Sequence, residues 1–416
     1  MADHTRTSRP RGRCRLRISL LPLRFRGYRL LIVGQGTSEF GNAFQIVALP
    51  LLVHSHAGDA RVLGLVVASY GACRLAATPL GGVLADRFGA WRVMLAADIG
   101  RLLATGALAV VAACRIESFH LIGVLTGLVG VGAGLFLPAA WAVTPSLLPQ
   151  EELHAGNSLN QTVNFAAGLI GPGVAGLTVA WLSPAVAFTV DALTFAASAV
   201  ALLMIGRGPC VVPAKDVAER ARVPRNLTGL LRESRLLRIV LMVTLAANLT
   251  MGGMTRVALP SLATHDLGTG AVGLGGLLAA FTGGALLGGL VSAGLGDPRS
   301  RGRPAVLCGM LMGVAVGLVP FTGLWGAVLM LCVAGGASTV LNVLIITGLQ
   351  QNTPPALLAR VMAALTFCGL AVFPLSVVAV GAVVDACGSR VVFVATGLSM
   401  LGAFGYALTR GELRAM

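Results

Sequence analysis

Six charged side chains, Glu39, Asp98, Asp191, Arg74, Arg101 and Arg256, stand in otherwise apolar stretches long enough to cross a bilayer. Charge is costly in hydrocarbon, so such residues serve a function or neutralise one another. Their chemistry would be proton handling and ion pairing. A carboxylate in a partly hydrated cavity can bind and release a proton as its access alternates between two compartments. Glu39 and Arg74 lie near the midplanes of the first and second spans. Asp98 and Arg101 lie three residues apart toward the inner end of the third span and share a helix face, which suits a structural ion pair. Asp191 and Arg256 both lie toward the outer ends of their spans, a depth at which they could pair across the two halves of the chain.

Glu39 is set apart by its neighbours. At 100° per residue, Gln35, Ser38, Glu39, Asn42 and Gln45 fall within roughly a 120° arc, with Phe40 and Phe44 on the far side. A polar stripe on a membrane helix must face water or protein. Thr244, Asn248, Met251 and Thr255 form a second stripe within about 60° on span seven, and Ser338, Thr339 and Asn342 a third on span ten. We expect the stripes to line a shared hydrated cavity. Glu39 is then the proton carrier, with Arg74 and Asp191 as further proton-coupling candidates. The substrate lining is expected from Gln35, Ser38, Asn42, Thr244, Asn248, Met251, Thr255, Arg256, Ser338 and Asn342. The plainer alternative is hydrogen bonding that glues helix to helix. On span five, Asn157, Gln161, Asn164, Gly168, Gly171 and Ala175 make a small-residue stripe continued by Pro172. It suits either tight packing or a sliding seam, with Pro374 as its counterpart in span eleven.

The elements that must position these groups follow from composition. Of 416 residues, 56% are hydrophobic and 11% charged, whereas soluble chains carry about 25% charged residues. That excludes a water-soluble enzyme and a disordered protein. Spans are expected near 29–53, 62–85, 93–114, 119–142, 160–182, 185–206, 238–260, 270–296, 304–322, 324–349, 360–384 and 390–409. The expected fold is therefore an all-α polytopic membrane protein with twelve transmembrane helices. Its parts would be a basic cytoplasmic tail (1–27), an N-terminal six-helix bundle (28–206), a central cytoplasmic loop (207–237), a C-terminal bundle (238–409) and a short C-terminal tail (410–416).

Loop charge sets the orientation. Most of the 31 basic residues fall in the tails, the central loop and the even-to-odd turns, while the opposite loops hold only Arg61, Arg115 and Arg390. By the positive-inside rule both termini are cytoplasmic. Arg232, Arg235 and Arg238, spaced by leucines, read as an amphipathic helix on the inner surface. The basic tail lacks interleaved aromatics, so it reads as a membrane-surface anchor and not a nucleic-acid arm. The eight cysteines form no CxxC pair and read as packing residues. The single lysine, Lys215, has no phosphate-cradling loop, which excludes an ATPase, and the six histidines sit in tails, loops or span edges, where neither metal nor hydrolytic chemistry is expected.

Gly82-Val-Leu-Ala-Asp86-Arg87-Phe-Gly89-Ala-Trp-Arg92, at the inner turn between spans two and three, resembles the signature loop of the major facilitator superfamily. Asp98-Ile-Gly-Arg101, Leu147-Leu-Pro-Gln-Glu-Glu-Leu153, Asp191-Ala-Leu-Thr-Phe195 and Ala359-Arg360-Val361 resemble the branch of macrolide-efflux proteins and the enterobactin exporter. Gly171-Pro172-Gly-Val-Ala-Gly176, with Gly168, is similar to the span-five motif associated with antiporters. In related sequences an acid usually stands where this chain has Asn42, with Glu39 one turn earlier. The resemblance implies two six-helix bundles alternating around a midplane site. It also implies a gating loop of Gly82, Asp86, Arg87, Gly89 and Arg92 docking on span eleven near Arg360 when the carrier faces outward. The function implied is export of a small amphiphilic compound of drug, antibiotic or siderophore type by proton antiport. Proton-coupled uptake of a small nutrient or siderophore is the alternative, with an embedded enzyme or channel more remote. No cofactor, metal or nucleic acid is expected; the partners are a small-molecule substrate, protons and the lipid of a bacterial cytoplasmic membrane, in which the chain acts as a monomer.

Overall fold

The computed structural model describes residues 20–57, 60–116, 118–206, 229, 235–295 and 301–409. Twelve long helices account for nearly all of them, matching the twelve expected spans. The first six are α1 (Arg26–Ala57), α2 (Ala60–Phe88), α3 (Ala90–Ala113), α4 (Phe119–Leu147), α5 (Leu153–Trp181) and α6 (Pro184–Ile205). The second six are α7 (Arg235–Gly253), α8 (Gly270–Leu295), α9 (Gly302–Leu318), α10 (Gly323–Asn352), α11 (Pro355–Cys387) and α12 (Ser389–Thr409). Helices α3 to α12 are each long and apolar enough to cross a membrane. Lipid leaves a chain no other way to satisfy its backbone than intrahelical hydrogen bonds or a closed barrel. The turns are short and marked chemically: Ser118 and Ser183 accept hydrogen bonds from the first-turn amides of α4 and α6, and Gly89, Gly206 and Gly388 take positive φ at helix boundaries. The basic tail, Lys215, Arg232, the stretch around Asp297 and Arg299, and residues 410–416 lie outside the described residues.

Each half packs as a bundle. In the first, α1 lies against α5 and α6, α2 against α4, and α3 against α4 and α6; in the second, α8 pairs with α10, α9 with α10 and α12, and α7 with α11. Small residues set the closest approaches, as at Gly284, where a Cβ would meet the Cys332 carbonyl of α10. The halves meet along α2–α11, α4–α11, α5–α8 and α5–α10. We call the end that carries the start of α1 and the α2–α3 turn proximal, and the other distal.

Contact between the halves is confined to the proximal side. On α5, Leu153–Asn160 are buried, whereas Gly168, Leu169, Ile170, Pro172, Gly173 and Val174 are exposed. On α11, Leu357, Leu358, Ala359, Val361, Met362 and Ala363 are buried, whereas Ala382, Val383 and Asp385 are exposed. A cluster of Leu237, Val240, Ile346, Leu349, Leu358 and Met362, with Trp141 packed on it, seals the proximal end.

Span seven departs from the simple helix expected at 238–260. Past Gly253 it widens into π turns at Met254–Ala258 and Leu262–Asp266. Pro260 sits between them; it has no N–H to give and its ring crowds the carbonyl four residues back, which favours an extra residue per turn.

Candidate functional site

The polar stripe of α1 points at neither helix packed against it. Gly36 and Ala43 abut Val163 and Gly171 of α5, while Gly34 and Gly41 abut Ser198 and Thr194 of α6. Between those contacts lie Gln35, Ser38, Glu39 and Asn42. Proximally this face is buried, with Gln35 7% and Ser38 3% exposed; distally it opens through Glu39 and half-buried Asn42 to Ile46 at 70%, while Gln45, on the α6 side of the stripe, stays buried at 6%. Asn42 Nδ2 donates to Glu39 Oε2 at 3.2 Å. No ion pair joins Glu39 to Arg74, which is half-buried on α2 beside α4.

Behind α1 lies a sealed cluster. Asp98 and Arg101 of α3 form an ion pair, and Ser198 Oγ of α6 donates to Asp98 Oδ2 at 2.7 Å. The guanidinium of Arg101 is stacked between the rings of Phe136 and Phe195, 4.4 and 4.5 Å from their centroids. Asp191 is fully buried here, with both carboxyl oxygens lacking a hydrogen-bond partner. The cation whose charge reaches it is Arg101. That corrects the pairing of Asp191 with Arg256: α6 packs on α1 and α3, while Arg256 is exposed in the π turn after α7. Equal depth along a sequence says nothing about which helices adjoin.

The proximal closure is polar at its rim. Arg360 Nε of α11 lies 2.8 Å from Asp86 Oδ2. One turn earlier, a Cβ on Gly82 would stand 2.6 Å from Ala363 Cβ and 2.8 Å from the Ala359 carbonyl, so glycine permits the docking. Arg87 packs over the ring of Phe88, Gly89 turns the chain at φ +92°, and Arg92 is exposed. Asn157 Nδ2 of α5 donates to Thr347 Oγ1 and Gln350 Oε1 of α10, at 2.8 and 2.6 Å. Gln350 Nε2 donates to the Trp141 carbonyl, and His154 Nε2 lies 3.1 Å from the Ser292 carbonyl on α8. Sequence reasoning missed Trp141, His154, Ser292, Thr347 and Gln350 as cross-half partners. Their one signal was polar or amphipathic residues toward the end of an apolar span, which also describes ordinary interfacial residues.

The other two stripes hydrogen-bond along their own helices. Thr244, Asn248, Met251 and Thr255 are half-buried, and their hydrogen bonds run along α7, Asn248 Nδ2 to the Thr244 carbonyl and Thr255 Oγ1 to the Met251 carbonyl. Asn248 also lies beside Gly369 of α11. On α10, Asn342 is exposed while donating to the carbonyl of half-buried Ser338. On α5, only Gly171 of the antiporter-like motif is packed, against Ala43; Gly168 and Gly176 meet open space, and Pro172 is carried inside the helix. A groove of about 630 Å³ opens between the distal parts of α2 and α4, walled by Leu65, Val66, Cys73, Val124 and Leu128, with Ser69 and His120 as its polar edge.

Comparison with known proteins places this geometry. The major facilitator superfamily model matches residues 31–375. The chain is 29% identical over 390 residues to the multidrug efflux pump Tap of Mycolicibacterium fortuitum, covering 90% of this chain and 94% of Tap. It is 28% identical over 328 residues to the enterobactin exporter EntS of Shigella boydii, covering 76% of this chain and 75% of EntS. Among solved structures, the human organic anion transporter MFSD10 superposes with a TM-score of 0.72 at 16% identity, over 92% of this chain and 99% of MFSD10. The transporter FucP in its outward conformation gives 0.73 at 14% identity, over 94% and 99%. These two share its fold. With the family match running from the first helix into the eleventh, the chain belongs to the major facilitator superfamily of membrane transporters.

Proposed function

We propose that this transporter exports a small uncharged or cationic amphiphile from a bacterial cell in exchange for protons, and that the conformation described is its outward-open form. The single observation that carries the reading is the gradient on α1, where one polar face runs from buried Gln35 and Ser38 to exposed Glu39. The arginine-rich proximal end is assigned to the cytoplasm by the positive-inside rule, which leaves both termini inside the cytoplasmic membrane. Glu39 then faces the outside. A protonated carboxyl can enter a closing, drier cavity where an ionised one resists burial. So Glu39 takes a proton outside after substrate leaves, the distal end closes over it, and the proximal latch opens. Inside, substrate binding displaces the proton to the cytoplasm. The latch of Asp86–Arg360 and Asn157–Thr347–Gln350 must break once per cycle. Export is supported by relatives named as an efflux pump and an exporter, and an amphiphile by an apolar groove with a thin polar edge.

The test uses inverted membrane vesicles containing the full chain, with ethidium as the probe. Glu39→Gln keeps the shape of the protonated acid but cannot exchange its proton. Uphill ethidium accumulation is lost in this variant while ethidium binding remains; a variant that still concentrates ethidium would remove Glu39 from the mechanism.

A further inference from the structure

The sealed cluster behind α1 contains a charge imbalance that the transport cycle has not used. Asp98 and Arg101 neutralise each other, and the guanidinium is held between two phenyl rings. Asp191 is left over. Its two oxygens are buried and accept nothing, while Arg101 Nε, also buried, donates to nothing. Among the described residues the groups facing Asp191 are few: Arg101 from α3, the Thr194 hydroxyl of its own helix and Glu39 from α1. The one titratable residue of α5, His154, sits at the proximal end. With Arg101 already paired to Asp98, an ionised carboxylate in this place would have no cation of its own and would face a second acid on α1. A proton removes that charge.

We propose that Asp191 is a second proton-binding site of the carrier, filled in the outward-open form and emptied when α1 shifts against α6. Gly41 is the contact through which α1 senses it: a Cβ there would stand 2.6 Å from Asp191 Oδ1. Deprotonation of Asp191 would draw the idle Nε of Arg101 toward it, so that two arrangements of one triad correspond to the two protonation states. The occupancy of Asp191 stands on this geometry alone; its part in transport rests on the proton-exchange reading above.

The experiment is infrared titration of the purified full chain in lipid nanodiscs, following the C=O stretch of protonated carboxyls, together with thermal unfolding. At neutral pH the wild type shows a protonated-carboxyl band with a component that Asp191→Asn removes and Glu39→Gln leaves in place. Because asparagine mimics the neutral acid, Asp191→Asn keeps the wild-type Tm at neutral pH, whereas Asp98→Asn, which strands the Arg101 cation, lowers it. A neutral-pH band undiminished in Asp191→Asn, both in the wild-type background and in Glu39→Gln, would overturn the proposal. So would an Asp191→Asn chain that fails to fold or loses as much stability as Asp98→Asn, because that marks an ionised Asp191 balancing Arg101. The two readings fail separately: a wild type that moves no ethidium under a proton gradient refutes proton exchange, yet leaves the carboxyl band to report on Asp191.

Discussion

Arg101 shows how one side chain can be structural and still shape function. Its guanidinium is paired with Asp98, capped by Phe136 and Phe195, and 3% exposed. Breaking a buried pair by removing one partner costs about 3–5 kcal/mol. Asp98→Asn should therefore lower the unfolding free energy by about that amount, measured by thermal unfolding in lipid nanodiscs. Ser198→Ala, which removes one donor to Asp98, should cost about 1–3 kcal/mol. The spacing of Asp98 and Arg101 was legible in the sequence because residues three apart on a helix must share a face. The aromatic sandwich was not, since Phe136 and Phe195 come from helices whose adjacency no periodicity encodes. The same gap explains Asp191, whose neighbours are Gly41 and Arg101, not Arg256.

Among the elements, α2 and α11 act as a docked pair, and the docking depends on an absent side chain. At Gly82 a Cβ would run into the backbone and side chains of α11. Gly82→Leu should separate the two helices at the proximal end and favour the inward-open form, seen as increased labelling of a proximal cysteine by a thiol reagent added from the cytoplasmic side; unchanged labelling would contradict the docking role. Asp86→Asn weakens the contact to Arg360 without adding bulk. It should slow ethidium turnover more than it weakens ethidium binding, and the reverse pattern would count against a gate. Helix number, order and the polar face of α1 could be read in advance because lipid enforces both length and facing on every helix. The widening of α7 at Pro260 and the amides that tie α5 to α10 could not. A proline in an apolar span is compatible with a kink, a π turn or a straight helix, and terminal amides look alike whether they meet water or a neighbouring helix.

Across the whole molecule, burial divides by end and not by half. Where α5 and α11 face the other half they are closed proximally and exposed distally, and the face of α1 around Glu39 and Ile46 is exposed distally as well. A static packing arrangement has no reason to expose a carboxylate beside the buried polar residues Gln35 and Ser38. Alternating access does, because the same face must be wet on one side and then on the other. The three stripes expected to line one cavity each hydrogen-bond along their own helix. Closing the distal end would bring them together, so doubly cysteine-labelled α5 and α11 should show distal distances that shorten when ethidium is added under an imposed proton gradient. The most direct test of proton-driven export is ethidium movement in inverted vesicles with an imposed pH gradient and no other energy source. An acidic lumen should drive ethidium inward and concentrate it there, and an alkaline lumen should not. Accumulation under the alkaline lumen, or under neither gradient, would contradict the account.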